Sequence, residues 1–264
     1  MSARSILPEL KGWFEDYVIR FTSEDPLVQE NIDMKALHTR KVCGIIMDIG
    51  KSLALPPEDL AIGEITALLH DVGRFDQYKR YGTFVDHRSE DHAALSVSII
   101  QTHQILHDLK PDSAKLILWA IQHHNRAVLP RNEDQRKLLF SKLLRDADKI
   151  DIWRVVTDYY KQAGERRNPA IELDLPDENW ISDLPYESLM NGELVKMTDL
   201  KTLNDFKVFQ IGWIYDINYP RTFQLIRDKK YLEIICDALH TKPSRVAAIY
   251  NQVHSYLERN SSFD

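Results

Sequence analysis

Cysteine is scarce in this sequence, since the 264 residues include only Cys43 and Cys236. The two are far apart and neither belongs to a C-x-x-C pair, which excludes a disulfide framework and a thiolate zinc site. This usage fits a reducing compartment. No window approaches the roughly 18 consecutive apolar residues that a spanning helix needs. We therefore expect a cytoplasmic protein that does not enter a membrane.

Charge of one sign is not concentrated either. Lys and Arg total 34 and Asp and Glu total 40, which gives a formal net charge of −6. The basic residues are scattered, so the chain lacks the basic surface that binds bulk nucleic acid by counterion release. The apolar fraction of 44% is enough for a core, which excludes a disordered chain.

Apolar residues recur at three- and four-residue spacing along most of the chain, as at Ile45, Ile49 and Leu53. This is the helical period, and it predicts an all-α fold. The predicted helices span residues 8–22, 34–53, 58–70, 91–107, 112–124, 134–162, 199–210, 219–239 and 243–259. Prolines and an Asn-Gly pair predict a loop or small insertion at 165–198. We expect an N-terminal helix at 1–24 packed on a core at 25–162, with an insertion and helical extension of the same domain at 163–264.

Histidine is abundant, with ten in the chain, and several combine with aspartate at predicted helix ends. Without thiolates, divalent transition metals take imidazole and carboxylate ligands, and helical bundles assemble such sites from neighbouring helices. The residues that indicate a metal site are His38, His70, Asp71, His92, His123, His124 and Asp148. The histidines at 87, 103, 107, 240 and 254 are interpreted as ordinary core or surface residues.

Five separated elements carry these residues, in the order His38, Leu68-Leu69-His70-Asp71-Val72-Gly73, Asp86-His87-Arg88-Ser89-Glu90-Asp91-His92-Ala93, Ile121-Gln122-His123-His124 and Leu143-Leu144-Arg145-Asp146-Ala147-Asp148-Lys149-Ile150-Asp151. This order resembles the HD-domain metal-dependent phosphohydrolase superfamily over approximately residues 34–160. The resemblance implies an HD-domain helical bundle around a metal. It also implies that His38, His70, Asp71 and Asp148 are the four ligands of the minimal site.

The resemblance further implies two metal ions. His92, His123 and His124 match positions that hold a second ion in the members with two metals, where the Asp of the HD pair, here Asp71, bridges both. We expect divalent transition metals, namely Fe, Mn, Zn, Ni or Co, with Mg as a further option. Two such ions about 3.5–4 Å apart clamp a phosphoryl group and activate a water. Asp146 competes with Asp148, but side chains two residues apart on a helix diverge by about 200°, and the family order favours Asp148.

Phosphoester hydrolysis also needs positive charge at the phosphoryl oxygens. Arg74, one turn after Asp71, is the first candidate, followed by Arg88 and by Lys149 beside Asp148. We assign catalysis to Asp71, Arg74 and Lys149, and substrate binding to Arg74, Arg88 and Tyr78. Tyr78 belongs to the polar, aromatic segment Phe75–Phe84, which predicts a loop that either stacks on a nucleotide base or anchors itself to the core.

The expected function is a phosphomonoesterase or phosphodiesterase that acts on a nucleotide or another small phosphorylated compound. No Gly-Tyr-Pro element follows His123-His124, so the cyclic-di-GMP phosphodiesterase branch is not supported. One alternative is a mixed-valence di-iron oxygenase, because the myo-inositol oxygenase branch builds a similar site on this scaffold. The other is a non-catalytic ligand sensor that kept the ligands. The oligomeric state stays open, with a homodimer as one option.

Overall fold

The computed structural model describes residues 1–162 and 168–261. These residues form helices and connecting turns without a strand, which confirms the predicted all-α class. The chain divides into two compact units, Met1–Asp151 and Ile152–Asp264. No helix in the described ranges is both long and apolar enough to cross a membrane.

The first unit contains six complete helices and most of a seventh. They are α1 (Ala3–Ile19), α2 (Pro26–Ser52), α3 (Pro57–Leu69), α4 (Val72–Tyr81), α5 (His92–Thr102), α6 (Pro111–His123) and the beginning of α7 (Gln135–Lys161). A short 3₁₀ helix at Asp86–Arg88 lies between α4 and α5.

Aspartate side chains fix where two of these helices begin. Asp25 accepts hydrogen bonds from two backbone N–H groups in the first turn of α2, and Pro26 supplies the preset φ of a first helical residue. Asp91 likewise accepts from two N–H groups at the start of α5. The cap on α5 makes His92 its first helical residue.

Helix α3 lies in the middle of the first unit. It packs against α1, α2 and α6, and eight of its 13 residues are buried. Large side chains from the surrounding helices complete the core, among them Phe14, Phe75, Ile117 and Phe140, all fully buried. Burying one such side chain stabilises the fold by about 1.5–3 kcal/mol. Because α3 is central, the two residues that follow it, His70 and Asp71, are buried as well.

The second unit begins within α7 and continues with shorter helices. They are α8 (Pro169–Glu172), α9 (Asp183–Met190), α10 (Leu203–Gly212), α11 (Pro220–Lys229), α12 (Tyr231–Asp237) and α13 (Pro243–Ser261). Helix α13 packs on α9, α11 and α12. The fully buried Trp153 donates an indole hydrogen bond to the Gln210 carbonyl at 3.0 Å, which ties α7 to α10 within this unit.

Two local expectations are wrong. The segment Phe75–Phe84 is not a loop, because α4 continues to Tyr81 and buries Val72, Phe75 and Tyr78, which recur every three residues. The helix predicted at 219–239 breaks at Lys230, whose left-handed φ of 55° ends α11. The described part of the loop or small insertion predicted at 165–198 contains two short helices, α8 and α9, and no long one. Residues 163–167 lie outside the described ranges.

The boundary between the two compact units lies between residues 151 and 152, inside α7 and not in a loop. The domain division drawn from the sequence, with boundaries at 24/25 and 162/163, stays a prediction.

Candidate metal centre

Six of the predicted metal-binding side chains meet in the first unit, and they come from widely separated positions in the helical framework. His38 lies within α2, His70 ends α3, Asp71 precedes α4, His92 begins α5, His124 ends α6 and Asp148 lies within α7. The histidines and Asp71 are 0–6% exposed. The Asp148 side chain is 17% exposed, so the cluster is open to solvent on that side.

The first group of donor atoms surrounds one oxygen of Asp71. His38 Nε2 lies 3.1 Å from Asp148 Oδ1 and 3.7 Å from Asp71 Oδ2. His70 Nε2 lies 3.7 Å and 3.6 Å from the same two oxygens. Adjacent ligands of an ion bound at about 2.1 Å are about 3.0–3.4 Å apart, so these four donors converge at nearly the separation that one ion requires.

The second group surrounds the other oxygen of the same carboxylate. Asp71 Oδ1 lies 3.7 Å from His92 Nε2 and 3.8 Å from His124 Nε2. The two Nε2 atoms are 3.0 Å apart. The two oxygens of Asp71 therefore face two different groups of imidazoles.

All four imidazoles are oriented by a hydrogen bond at Nδ1. The partners are the carboxylates of Asp151 for His38 (2.8 Å) and Asp86 for His92 (2.7 Å), and the carbonyls of Ala67 for His70 and Ile121 for His124 (both 2.7 Å). Carbonyls and carboxylates only accept hydrogen bonds, so each Nδ1 carries the proton and donates it. The lone pair of each Nε2 then points into the cluster, as a metal ligand requires.

The cluster fits divalent transition-metal ions. The Nε2 atoms of His38 and His70 are buried and have no hydrogen-bond partner in the described part of the chain. The Nε2 lone pairs of His92 and His124 face each other, an arrangement that a cation stabilises. Buried acceptors of this kind cost free energy unless they are satisfied, and imidazole with carboxylate is a donor set suited to Fe, Mn, Zn, Ni or Co.

The electrostatics keep both carboxylates ionised. Burial alone would raise the pKa of Asp71, but the cations Lys35 and Arg74 and the neighbouring imidazoles outweigh it and hold the pKa well below its usual range. Burial also opposes ionisation of Asp148, and its contacts with His38 and His70 lower its pKa well below the usual value. Ionised carboxylates are the form that binds metal.

The histidines titrate in two different ways. Burial and the neighbouring His92 lower the pKa of His124 to about 3, and burial and Arg74 lower that of His92. Both imidazoles are therefore neutral at pH 7. For His38, burial lowers the pKa, but the carboxylates of Asp148 and Asp151 outweigh it and raise the pKa above its usual value.

The structure does not bring His123 into either group of donors, contrary to the expectation from the sequence. Its Nδ1 bonds to the Trp119 carbonyl at 2.8 Å, and its ring stacks on the Trp119 indole with centroids 4.2 Å apart. Successive helical residues point about 100° apart, so His124 faces the cluster and His123 does not. Asp146 is buried and also lies outside these groups, whereas Asp148 belongs to one.

Arg74 lies at the cluster but is held by its own neighbours. Its Nη1 atom donates to Gln77 Oε1 at 2.8 Å, the Phe84 carbonyl at 2.5 Å and Asp86 Oδ1 at 2.9 Å. Its Nε lies 3.7 Å from Asp71 Oδ1. Arg74 therefore positions Asp86, the carboxylate that orients His92.

The other predicted substrate residues have three different surroundings. Tyr78 is 8% exposed, stacks on Phe84 with centroids 4.6 Å apart and accepts a hydrogen bond from Asn31 at 2.9 Å, so its side chain is used in packing. Arg88 is exposed and Lys149 is half-buried. Substrate contacts by these residues stay predictions.

Three residues of the site were not predicted from the sequence: Lys35, Asp86 and Asp151. Lys35 Nζ donates to Asp71 Oδ2 at 2.9 Å. Two of the three had a usable signal, because Lys35 lies three residues before His38, and Asp151 lies three residues after Asp148, on the same helical face. Asp86 had no such signal, because its contact with His92 depends on the path of the 3₁₀ helix.

The family comparison agrees with this geometry. Residues 36–153 match the family model of the HD domain. The match includes all six side chains of the cluster. No curated protein and no solved structure matches the chain. The stretch 36–153, which contains the His-Asp pair and the histidines and aspartate around it, is therefore similar to the HD-domain superfamily. Members of that superfamily are mostly metal-dependent hydrolases.

Proposed function

We propose that this protein is a metal-dependent phosphohydrolase that cleaves a phosphoester of a nucleotide or another small phosphorylated compound. The observation that carries the proposal is the position of Asp71, whose two oxygens face two separate groups of imidazoles. A carboxylate in that position would hold two ions, and a pair of ions would supply chemistry suited to phosphoryl transfer.

The proposed ligands divide between two ions. His38, His70, Asp71 and Asp148 would hold one ion, and Asp71, His92 and His124 would hold the other. Bound divalent ions supply Lewis acidity for phosphoryl oxygens and lower the pKa of water towards neutrality. Asp151 and Asp86 keep His38 and His92 in the tautomer that exposes Nε2 to the metal.

Positive charge beside the cluster favours an anionic substrate. The Lys35 and Arg74 side chains are 15% and 14% exposed, and both approach Asp71. Together with the partly exposed Asp148 they define the side from which a substrate reaches the cluster. Lys149 and Arg88 remain proposed contacts to phosphoryl oxygens.

A di-iron oxygenase would use the same kind of donor set, so the ligands alone do not separate the two chemistries. The two cations next to Asp71 favour hydrolysis, because they match the negative charge of a phosphoryl group. A ligand sensor would hold the metals without turnover.

Metal analysis combined with a phosphate-release screen tests the proposal. We expect wild-type protein purified without chelator to carry about two metals per chain and to hydrolyse p-nitrophenyl phosphate or a member of a nucleoside mono-, di- and triphosphate and cyclic nucleotide panel. Asp71→Ala removes the bridging carboxylate and should abolish both metal retention and turnover, with the helical circular dichroism unchanged.

Asp33→Ala, at an exposed position of α2, is the matched control and should behave as wild type. A metal-loaded wild type that releases no phosphate contradicts the hydrolase. Oxygen consumption by that protein would then indicate the oxygenase, and metal binding without either reaction would indicate the sensor.

A further inference from the structure

Lys35 is the cation in closest contact with the bridging carboxylate. Its Nζ donates to Asp71 Oδ2 at 2.9 Å, and it lies 5.4 Å from the centre of the Phe84 ring. The Lys35 side chain is 15% exposed, whereas that of Asp71 is 4% exposed. The ammonium group therefore lies at the boundary between solvent and the buried donor atoms.

The position of Lys35 follows from the periodicity of α2. Residues three apart share a helix face, so the face that directs His38 into the cluster also directs Lys35 towards it. An ammonium group has three N–H donors. Within residues 1–162 and 168–261, Asp71 is the one hydrogen-bond acceptor that contacts Nζ. Two donors are therefore available to a molecule that enters from solvent.

Arg74 has fewer N–H donors available to an entering molecule, although it is the residue that the sequence suggests for phosphate binding. Three acceptors, on Gln77, Phe84 and Asp86, surround its Nη1 atom, and they fix the plane of the guanidinium group. Arg74 therefore contributes charge and positions Asp86. Because its Nη1 atom is already hydrogen-bonded within the protein, that side of the guanidinium group cannot bind a phosphate through two parallel hydrogen bonds.

We propose that Lys35 binds a non-bridging oxygen of the substrate's phosphoryl group and supplies positive charge as negative charge develops there. This inference rests on the proposed phosphohydrolase function. A compact ammonium group binds phosphate as a point charge and can donate to two acceptors at once. The Phe84 ring covers part of the ammonium group, which reduces competition from water and strengthens its electrostatic attraction for the substrate.

The test compares Lys35→Met, Lys35→Arg and Lys41→Met. Lys35→Met keeps the length of the side chain and removes the charge, and Lys35→Arg restores the charge. Lys41→Met is the matched control, because Lys41 is an exposed lysine of the same helix. The probes are inorganic phosphate, whose binding to metal-loaded protein is measured by calorimetry, and p-nitrophenyl phosphate for turnover.

We expect Lys35→Met to keep the metal content of wild type and to weaken inorganic phosphate binding about tenfold or more, the effect of one charge-assisted hydrogen bond. Its kcat/KM should fall by at least as much. Lys35→Arg should recover most of the phosphate affinity, and Lys41→Met should match wild type.

A purely structural role predicts a different result. In that case Lys35→Met lowers the melting temperature or the metal content, while the metal-loaded fraction binds phosphate as tightly as wild type, and this overturns the assignment of Lys35. A Lys35→Met protein whose kcat/KM equals that of wild type also contradicts the assignment of Lys35. That result does not contradict the phosphohydrolase function. A metal-loaded wild type that neither binds phosphate nor hydrolyses phosphoesters overturns both proposals.

Discussion

His123 and His124 are adjacent in the sequence, yet their side chains have different surroundings. His124 is 6% exposed and faces Asp71, whereas His123 is half-buried and stacks on Trp119. The sequence indicates a pair of ligands at this point but not which ring turns inward. That choice depends on the rotation of α6 about its axis, which is set by its packing on α3 and α5.

Metal counting on two single variants separates these histidines. We expect His124→Ala to retain about one metal per chain and to lose mainly kcat, because the second ion acts in the transition state. His123→Ala should keep the wild-type metal content. Equal metal contents in wild type and His124→Ala would contradict the second ion, and metal loss in His123→Ala would contradict the ligand set.

The residues that contact the proposed metal ligands are harder to predict from the sequence than the ligands themselves. The ligands belong to a recognisable order of histidines and aspartates, so all six that cluster could be named from the sequence. Lys35 and Asp151 each act on a side chain from another part of the chain, and Asp86 acts on His92 across the loop that separates them. Asp151, for example, orients His38 from 113 residues away. Such a contact follows from the packing of α2 and α7, and its trace in the local sequence is limited to the three-residue spacing between Asp148 and Asp151.

The contact between Asp151 and His38 should control metal affinity. Asp151→Ala removes the carboxylate that holds His38 Nδ1–H at 2.8 Å. We expect metal affinity to fall by about 10–100-fold, as is typical when a group that orients a ligand is removed. Competition with a chromophoric chelator measures the affinity. Asp158→Ala, at an exposed position of the same helix, is the control. Affinity equal to wild type in Asp151→Ala would show that His38 is oriented by packing alone.

At the scale of helices, the approach of α4 to α5 determines the geometry around Asp71. A Cβ atom at Gly73 would lie 2.7 Å from the His92 carbonyl oxygen and 2.7 Å from the Ser96 nitrogen. The Gly73 N–H also donates to Ser96 Oγ at 2.9 Å. Glycine at this position therefore lets the start of α4, directly after Asp71, touch the first turn of α5, which carries His92.

Replacing Gly73 should disturb stability and the second metal together. The two closest contacts of a Gly73→Ala side chain would be with backbone atoms, which cannot move aside as a flexible side chain does, and the third would be with Ser96 Oγ at 2.9 Å. We expect a loss of about 1–3 kcal/mol in the free energy of unfolding and a reduced metal content. Gly44→Ala is the control, since Gly44 is exposed within α2 and a Cβ there meets nothing within 4 Å.

Denaturant unfolding and metal analysis check this pair of variants. Alanine is the better helix former, so Gly44→Ala should stabilise the protein by up to about 1 kcal/mol. A Gly73→Ala protein as stable as wild type would show that α4 and α5 can move apart without a loss in the free energy of unfolding.

Long helices with regular apolar spacing were predictable, and several short elements were not. The sequence locates α2, α3, α6 and α7 to within a few residues, apart from the earlier start of α2. It misses α4 because charged and aromatic residues dominate the segment, although Val72, Phe75 and Tyr78 are enough to bury one face. It also misses the break at Lys230, because a left-handed lysine has no signature comparable to glycine.

At the scale of the whole chain, the candidate metal centre belongs to one compact unit. Its six donor side chains come from separate positions between residues 38 and 148, and all of them lie in the unit Met1–Asp151. Unfolding this unit separates the donors. Metal that binds only the folded donors must therefore stabilise this unit, by an amount that depends on the free metal concentration.

Metal removal should consequently lower stability in one part of the chain. At a free metal concentration of about 100 times the Kd, binding contributes about 2.7 kcal/mol, which corresponds to a rise in melting temperature of about 5–10 °C. We expect chelation to reverse this rise and to speed amide hydrogen exchange in α2, α5 and the first half of α7, with exchange in α11 and α13 unchanged. Asp71→Ala should show no difference between the metal-loaded and chelated conditions. Equal acceleration in both units, or none in α2 and α5, would contradict a metal centre confined to the first unit.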